Sequence, residues 1–113
     1  MEQVEIQIAE READIDRLNE FFNADPIKNN LHWFTHRDTL QRAYNRDDRQ
    51  LSYIEHDGQV IGAAMVWCES RVLKPEDGQI RQIAVDSEYR RNGIATHLCT
   101  HAENFAIKKE KVI

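Results

Sequence analysis

Polar and apolar residues alternate at the start of the chain. Val4, Ile6 and Ile8 are separated by Glu5 and Gln7, the two-residue period of a strand with one buried face. The period then lengthens. Ile15, Leu18, Phe21 and Phe22 recur at helical spacing within residues 10–22, with charged residues on the opposite face, which predicts a first helix. Pro26 ends this region, because proline disfavours the helical conformation in the residue before it. Thr35 followed by Asp38 has the form of an N-cap with an acidic third position, opening a second helix through Leu40, Ala43 and Tyr44 that should end near Arg46.

Residues 51–56 and 59–67 flank Asp57 and Gly58, a pair that tolerates the positive φ angles of a tight hairpin, so two antiparallel strands are expected there. The second, from Val60 to Trp67, is apolar throughout, which predicts a central strand covered on both faces. Residues 69–78, with Lys74 and Pro75, and then Asp77 and Gly78, read as a loop. A fourth strand follows at 79–85. A third helix is expected from about Gly93 to Lys109, with Ile94, Leu98, Ala102, Phe105 and Ala106 inward and Lys108, Lys109 and Lys111 complementing its C-terminal dipole. No internal repeat, low-complexity segment or linker interrupts the chain.

Composition narrows the class. At 113 residues, 41% of them hydrophobic, the chain can build one core and not two. No apolar run approaches the roughly 18 residues of a membrane span, and the acidic start lacks the pattern of a signal peptide, so a cytoplasmic location is expected and no membrane partner. Cys68 and Cys99 stand far apart without C-x-x-C spacing and read as free thiols, buried or half-buried. A formal net charge of −5 disfavours nucleic-acid binding, which needs clustered Lys and Arg; a cationic amine is the easier partner.

The densest chemistry lies in residues 79–96, where a β-type segment passes through a polar turn into a glycine-initiated amphipathic helix. A helix N-terminus leaves backbone N–H groups without intrahelical partners and carries about half a positive charge, so an anion such as phosphate can dock there. Gly93 and Ala95 are small enough to let phosphate oxygens approach the backbone, and Arg90 and Arg91 add positive charge at the rim.

Arg90, two variable residues, Gly93, one variable residue and Ala95, following a strand with Ile83, Ala84 and Val85, resemble the acetyl-coenzyme A signature of the GCN5-related N-acetyltransferase (GNAT) family. That signature is Gln or Arg, two variable residues, Gly, one variable residue, then Gly or Ala. Residues 86–91 and 94–106 also look like the family, and the element order β-α-α-β-β-β-α agrees with the first part of its fold.

The resemblance implies an acyl-CoA N-acyltransferase-like α/β fold, a mixed, mainly antiparallel sheet flanked by helices. It also implies a single N-acetyltransferase domain over residues 1–113, incomplete at its C-terminus. Acetyl-CoA is the implied co-substrate. Its pantetheine arm would hydrogen-bond to the backbone of Ile83, Ala84 and Val85. Its pyrophosphate would sit on the N–H groups of Arg91, Asn92, Gly93, Ile94, Ala95 and Thr96, with Arg90 at the rim. An amine of a small molecule or protein would then attack the thioester directly in a ternary complex, the oxyanion being polarised by a strand-four N–H.

By the same alignment Gln79 stands where some relatives carry a glutamate base, and glutamine cannot accept a proton usefully at neutral pH. Glu69 at the end of strand three is the nearest alternative base, against a plain strand-end carboxylate. Tyr89 reads as packing. The family's usual acid, a tyrosine on helix four, falls beyond Ile113. Lys111, Val112 and Ile113 look like the beginning of strand five. Without the rest, strand four would present an unpaired edge at which a second copy could pair to give a homodimer. The alternative to catalysis is a non-catalytic truncated module with residual CoA binding or a protein-interaction role.

Other candidates read more plainly. His97 and His101 are spaced to share a metal, but Cys99 points to another side of the helix, so two surface or half-buried histidines are expected and no metal site. His32, Trp33 and Phe34 would form either one wall of an acceptor site or ordinary packing on the sheet. The run from Arg46 to Arg49 reads as a solvated loop.

Overall fold

The uninterrupted apolar stretch at residues 60–67 decides the architecture, because a strand apolar on both faces needs a layer on each. A computed structural model describes residues 5–24, 27, 35–44, 46–68 and 76–113. Among them the chain runs β1 (Gln7–Ile8), α1 (Glu12–Asn23), α2 (Arg37–Ala43), β2 (Arg49–His56), β3 (Gln59–Trp67), β4 (Gln79–Val85), a 3₁₀ turn (Ser87–Tyr89) and α3 (Ile94–Lys108). The strands form one antiparallel sheet in the order β1-β2-β3-β4, so β3 is internal as its composition requires. Among the described residues no helix is long and apolar enough to cross a membrane.

The sheet divides the core in two. On one face Ile15, Leu18 and Phe22 of α1 and Leu40 and Ala43 of α2 pack on Leu51, Tyr53, Ala63, Met65 and Trp67. On the other, Ile94 and Leu98 of α3 pack on Ile54, Ile61 and Ala64. The hairpin between β2 and β3 turns at Asp57 (φ 53°) and Gly58 (φ 78°), both left-handed as a tight two-residue turn demands. Cys68 is buried and Cys99 half-buried, and no disulfide joins them.

Several boundaries move, each for a local reason. α1 begins at Glu12 rather than near Glu10, because the carboxylate of Asp14 reaches back to the N–H groups of Glu10 (3.1 Å) and Arg11 (3.2 Å) and marks the first turn. Thr35 is not the N-cap of α2. His36 holds that position, while the buried Thr35 hydroxyl accepts from Gln82 Nε2 at 2.7 Å. α2 stops at Ala43, where the Tyr44 hydroxyl donates to the Glu10 carbonyl at 2.6 Å and draws the chain back toward α1. The run from Arg46 to Arg49 is not all loop: Arg49 opens β2 opposite Trp67, with its guanidinium 3.8 Å from the indole centroid, a cation–π contact. Of the first predicted strand only Gln7 and Ile8 pair with β2, and Val4 lies outside the described residues.

Asp14 also ties α1 to the sheet, since the Tyr53 hydroxyl donates to it at 3.2 Å and its side chain is only 3% exposed. Burial alone raises the carboxyl's pKa. The Glu10 and Arg11 N–H groups, the Tyr53 hydroxyl and the Arg11 charge outweigh that and hold it below the usual carboxylate range. Burial and the same carboxylate push the Tyr53 hydroxyl up. A carboxyl depressed on folding stabilises the protein above its unfolded pKa, and that contribution is lost as pH falls through the lower folded value. Asp14→Asn should therefore lower stability by about 1–3 kcal/mol near neutrality and by progressively less as pH falls below about 3.8. Urea unfolding of both proteins at several pH values checks this; a difference independent of pH would show that the charge is not what matters.

Candidate functional site

The residues singled out at 83–85 and 90–96 owe their placement to an irregularity in β4. Met65 stands opposite Gln82 and Val66 opposite Ile80, which leaves Arg81 as an extra residue. A bulge of this kind bends the strand and resets which side chain faces which layer. Arg81 lays its guanidinium 4.2 Å from the Trp67 ring centroid, and Gln82 donates to Thr35, so both consecutive side chains serve the face that carries α1 and α2. Beyond the bulge, Ile83 and Val85 pack toward α3 while Ala84 packs on the opposite core.

The phase of the backbone is set by one bond, from the Asp86 N–H to the Ile61 carbonyl at 2.8 Å. In an antiparallel pair successive residues turn their amides alternately to the partner and away from it. Ala84 therefore turns to β3, while Ile83 and Val85 direct their N–H and C=O groups to the far edge. This corrects the expectation that all three offer backbone groups: the Ala84 amide is engaged with β3. At the beginning of β4 the far edge has a neighbour. The Gly78 N–H bonds to the Val112 carbonyl (2.7 Å), the Val112 N–H bonds to the Glu76 carbonyl (2.8 Å), and Asp77 bridges Val112 in parallel, where a fifth strand was expected to begin. Among the described residues no strand pairs with that edge at Ile83 and Val85.

The same end of β4 leads through the 3₁₀ turn into α3. Asp86 caps the turn by accepting the Glu88 N–H at 3.0 Å. Arg91 (φ 68°) and Gly93 (φ 74°) are left-handed, and the Asn92 side chain donates to the Tyr89 carbonyl at 3.0 Å, so the turn is held by its own polar groups. His97 is the first residue whose N–H finds a carbonyl one turn back, that of Gly93 at 2.9 Å. The N–H groups of Ile94, Ala95 and Thr96 are the unpaired donors of the helix start.

Arg90, Arg91, Asn92, Gly93, Ala95 and Thr96 are exposed. Ile94 differs, being 1% exposed and packed in the core, so it can offer only its backbone. A pocket of about 210 Å³ opens here, its lining including Val85, Tyr89, Arg90, Gly93, Ala95 and Thr96. The pocket thus joins the last outward-turned amide of β4 to a helix N-terminus with adjoining arginines, an arrangement that can hold an anion and an extended polar chain together.

The remaining candidates separate. Tyr89 packs edge-on to His56 with centroids 5.5 Å apart and against the α3-side core, a structural contact. Gln79 is exposed at the opposite end of β4, roughly 13 Å from Ile83 at the rise of a strand. Glu69, and His32, Trp33 and Phe34, lie outside the described residues. His101 turns to β2, with Nε2 2.7 Å from Gln50 Oε1, and burial together with the charges of Lys108 and His97 lowers its pKa. His97 is exposed, and among the described residues no three metal-ligating side chains gather.

What the linear reading missed is the polar junction behind β4. Asn23 at the end of α1 donates to the Thr35 carbonyl and accepts the Thr35 N–H, each at 2.8 Å, and Thr35 in turn receives Gln82. The three residues are remote in sequence, and the one signal, Thr35 ahead of α2, read as a cap.

Comparison with known proteins bears on the fold. The profile of the Acetyltransferase (GNAT) family matches residues 15–113. No curated protein sequence matches the chain. Among solved structures, an aminoglycoside acetyltransferase, meta-AAC0020, from an uncultured soil metagenomic sample superposes with a TM-score of 0.71 at 17% identity, over 97% of this chain and 75% of its own. A ribosomal-protein-alanine N-acetyltransferase from Brucella melitensis also gives 0.71, at 24% identity over 94% and 68%. A Bacillus anthracis protein named for streptothricin acetylation and solved in complex with acetyl coenzyme A gives 0.53 at 20% identity over 61% and 37%. These likenesses establish the fold, an α/β acyltransferase architecture with a mainly antiparallel sheet.

Nothing lies within 4 Å of where a Cβ at Gly93 would stand, yet its φ of +74° remains unfavourable for any L side chain. Gly93→Ala should therefore lower stability by about 1–2 kcal/mol through backbone strain alone. A denaturant midpoint equal to that of the wild type would show that the turn relaxes without the glycine.

Proposed function

The chain belongs to the GNAT acetyltransferase family, and from that premise we propose that it binds acetyl-CoA along β4 and the start of α3 and transfers the acetyl group to a primary amine. The observation that carries the reading is the continuity of the outward-turned amides of Ile83 and Val85 with the N-terminus of α3. The pantetheine arm pairs with Ile83 and Val85 as an added strand. The pyrophosphate rests on the N–H groups between Arg91 and Thr96, with Arg90 at the rim.

The amine nitrogen attacks the thioester carbon, an outward N–H of β4 polarises the developing oxyanion, and the C–S bond then breaks to leave an amide and a thiolate. The nitrogen sheds a proton and the thiolate gains one. No covalent enzyme intermediate is needed, because alignment of two bound reactants supplies most of the acceleration. The acidic chain, at −5, suits a cationic acceptor. The fold does not choose among acceptors: one neighbour named for aminoglycosides and another for a ribosomal-protein alanine superpose equally well, at 0.71.

Gly93→Asp places a carboxylate at the proposed pyrophosphate position, so acetyl-CoA affinity should fall at least about tenfold, or 1.4 kcal/mol, whereas Arg90→Ala should cost less because Arg90 is exposed. Equal affinities by calorimetry for wild type and Gly93→Asp would remove the anion role from the turn.

The proton is the second test. With glutamine at position 79, the reading has the acceptor lose its proton in solution, and the rate with spermidine as acceptor should climb with pH toward the amine's own pKa. An enzyme pKa of about 7 that disappears in Glu69→Gln would assign the base to Glu69 instead.

A further inference from the structure

Gln82 stands between two parts of the molecule that the proposed chemistry must bring together. Its neighbour Ile83 directs its amide to the edge of β4 at which no strand pairs among the described residues, where the coenzyme is proposed to bind, while the Gln82 side chain points to the face that carries α1 and α2 and donates to Thr35 Oγ1 at 2.7 Å. Thr35 is 1% exposed. It is held to the end of α1 by the reciprocal pair of 2.8 Å bonds with Asn23, and it leads directly into α2. One glutamine thus connects the edge of the sheet to the point where α1 and α2 meet.

We propose that Gln82 is a positioning residue that couples occupancy of the β4 edge to the Asn23–Thr35 junction. The inference rests on the coenzyme reading above. An unpaired strand edge samples more backbone conformations than a paired one, and a ligand bonded to the Ile83 and Val85 amides narrows that range. A glutamine side chain loses substantial rotamer freedom when its amide is held, and a fixed backbone at 82 reduces what remains to be ordered. Coenzyme binding therefore tightens the Gln82–Thr35 bond, and the junction between the two helices with it. By linkage the junction reinforces coenzyme binding to the same degree. The regular alternation of β4 makes this possible, since it puts the Gln82 side chain on the same face as Ala84, toward α1 and α2, while the neighbouring Ile83 amide turns to the edge.

The test is amide hydrogen exchange of the ¹⁵N-labelled protein, read by NMR at Thr35, with and without saturating coenzyme A. In the wild type coenzyme A should slow exchange of the Thr35 amide at least threefold. Gln82→Leu should bind coenzyme A yet lose that response, while the core amides of β3 exchange as before. Thr35→Ser, which keeps the hydroxyl, should retain the response and Thr35→Val should lose it, and this pair decides the matter should Gln82→Leu fail to fold. A Thr35 response equal in wild type, Gln82→Leu and Thr35→Val would reduce the bond to ordinary packing and overturn the inference. Absence of coenzyme A binding by calorimetry in the wild type would overturn the coenzyme reading, and the coupling along with it.

Discussion

The pairing of β4 with β3 fixes where every group of the site can be. A strand offers its backbone alternately to two sides and its side chains alternately to two faces, so a single register determines both sets at once. From Gly62–Val85 to Ala64–Ile83 the ladder is regular, and it leaves Ile83 and Val85 facing outward. One extra residue, Arg81, then shifts the phase toward the beginning of the strand. A slip of one residue beyond the bulge would turn Ala84 outward in their place and bring Ile83 and Val85 onto the wrong core.

The second determinant is how closely α3 approaches the sheet. A Cβ at Gly62 would stand 2.8 Å from Ile94 Cγ2 and 3.2 Å from Leu98 Cδ1, so the absence of a side chain on β3 is what lets the first turn of the helix settle there. Ile94 and Leu98, both fully buried, then anchor the helix start beside Val85. Hydrophobic packing on one side of the turn thus places polar N–H groups on the other. That is why Ile94 belongs to the core although the residues on either side of it are exposed.

On the opposite face the sheet meets α1 and α2 through a core that is not wholly apolar. Asp14 joins Tyr53, Arg17 bonds to Glu55 at 2.9 Å and to the Gly58 carbonyl at 3.2 Å, and Asn23, Thr35 and Gln82 form the junction behind β4. These contacts are directional, and directionality is what a hydrophobic layer lacks. Apolar burial brings the helices to the sheet, and the hydrogen bonds select one placement over neighbouring ones of similar burial.

The linear pattern determined a large part of this. The limits of β3 and β4, the turn at Asp57 and Gly58, the internal place of β3 and the start of α3 at Gly93 are all legible from hydrophobic period and turn chemistry, because each depends on residues within a few positions of one another. The same locality made the 90–96 turn recognisable. Helix limits at Glu12 and Ala43 were less legible, since Asp14 and Tyr44 act there through bonds whose geometry no spacing reveals. Only the tertiary structure decided that Arg81 is a bulge, that Ala84 and not its neighbours faces β3, and that Thr35 serves Gln82 instead of capping α2. Each of these depends on the register of one strand against another or on residues brought together from distant parts of the chain. A pattern of neighbours along the chain carries no information about either.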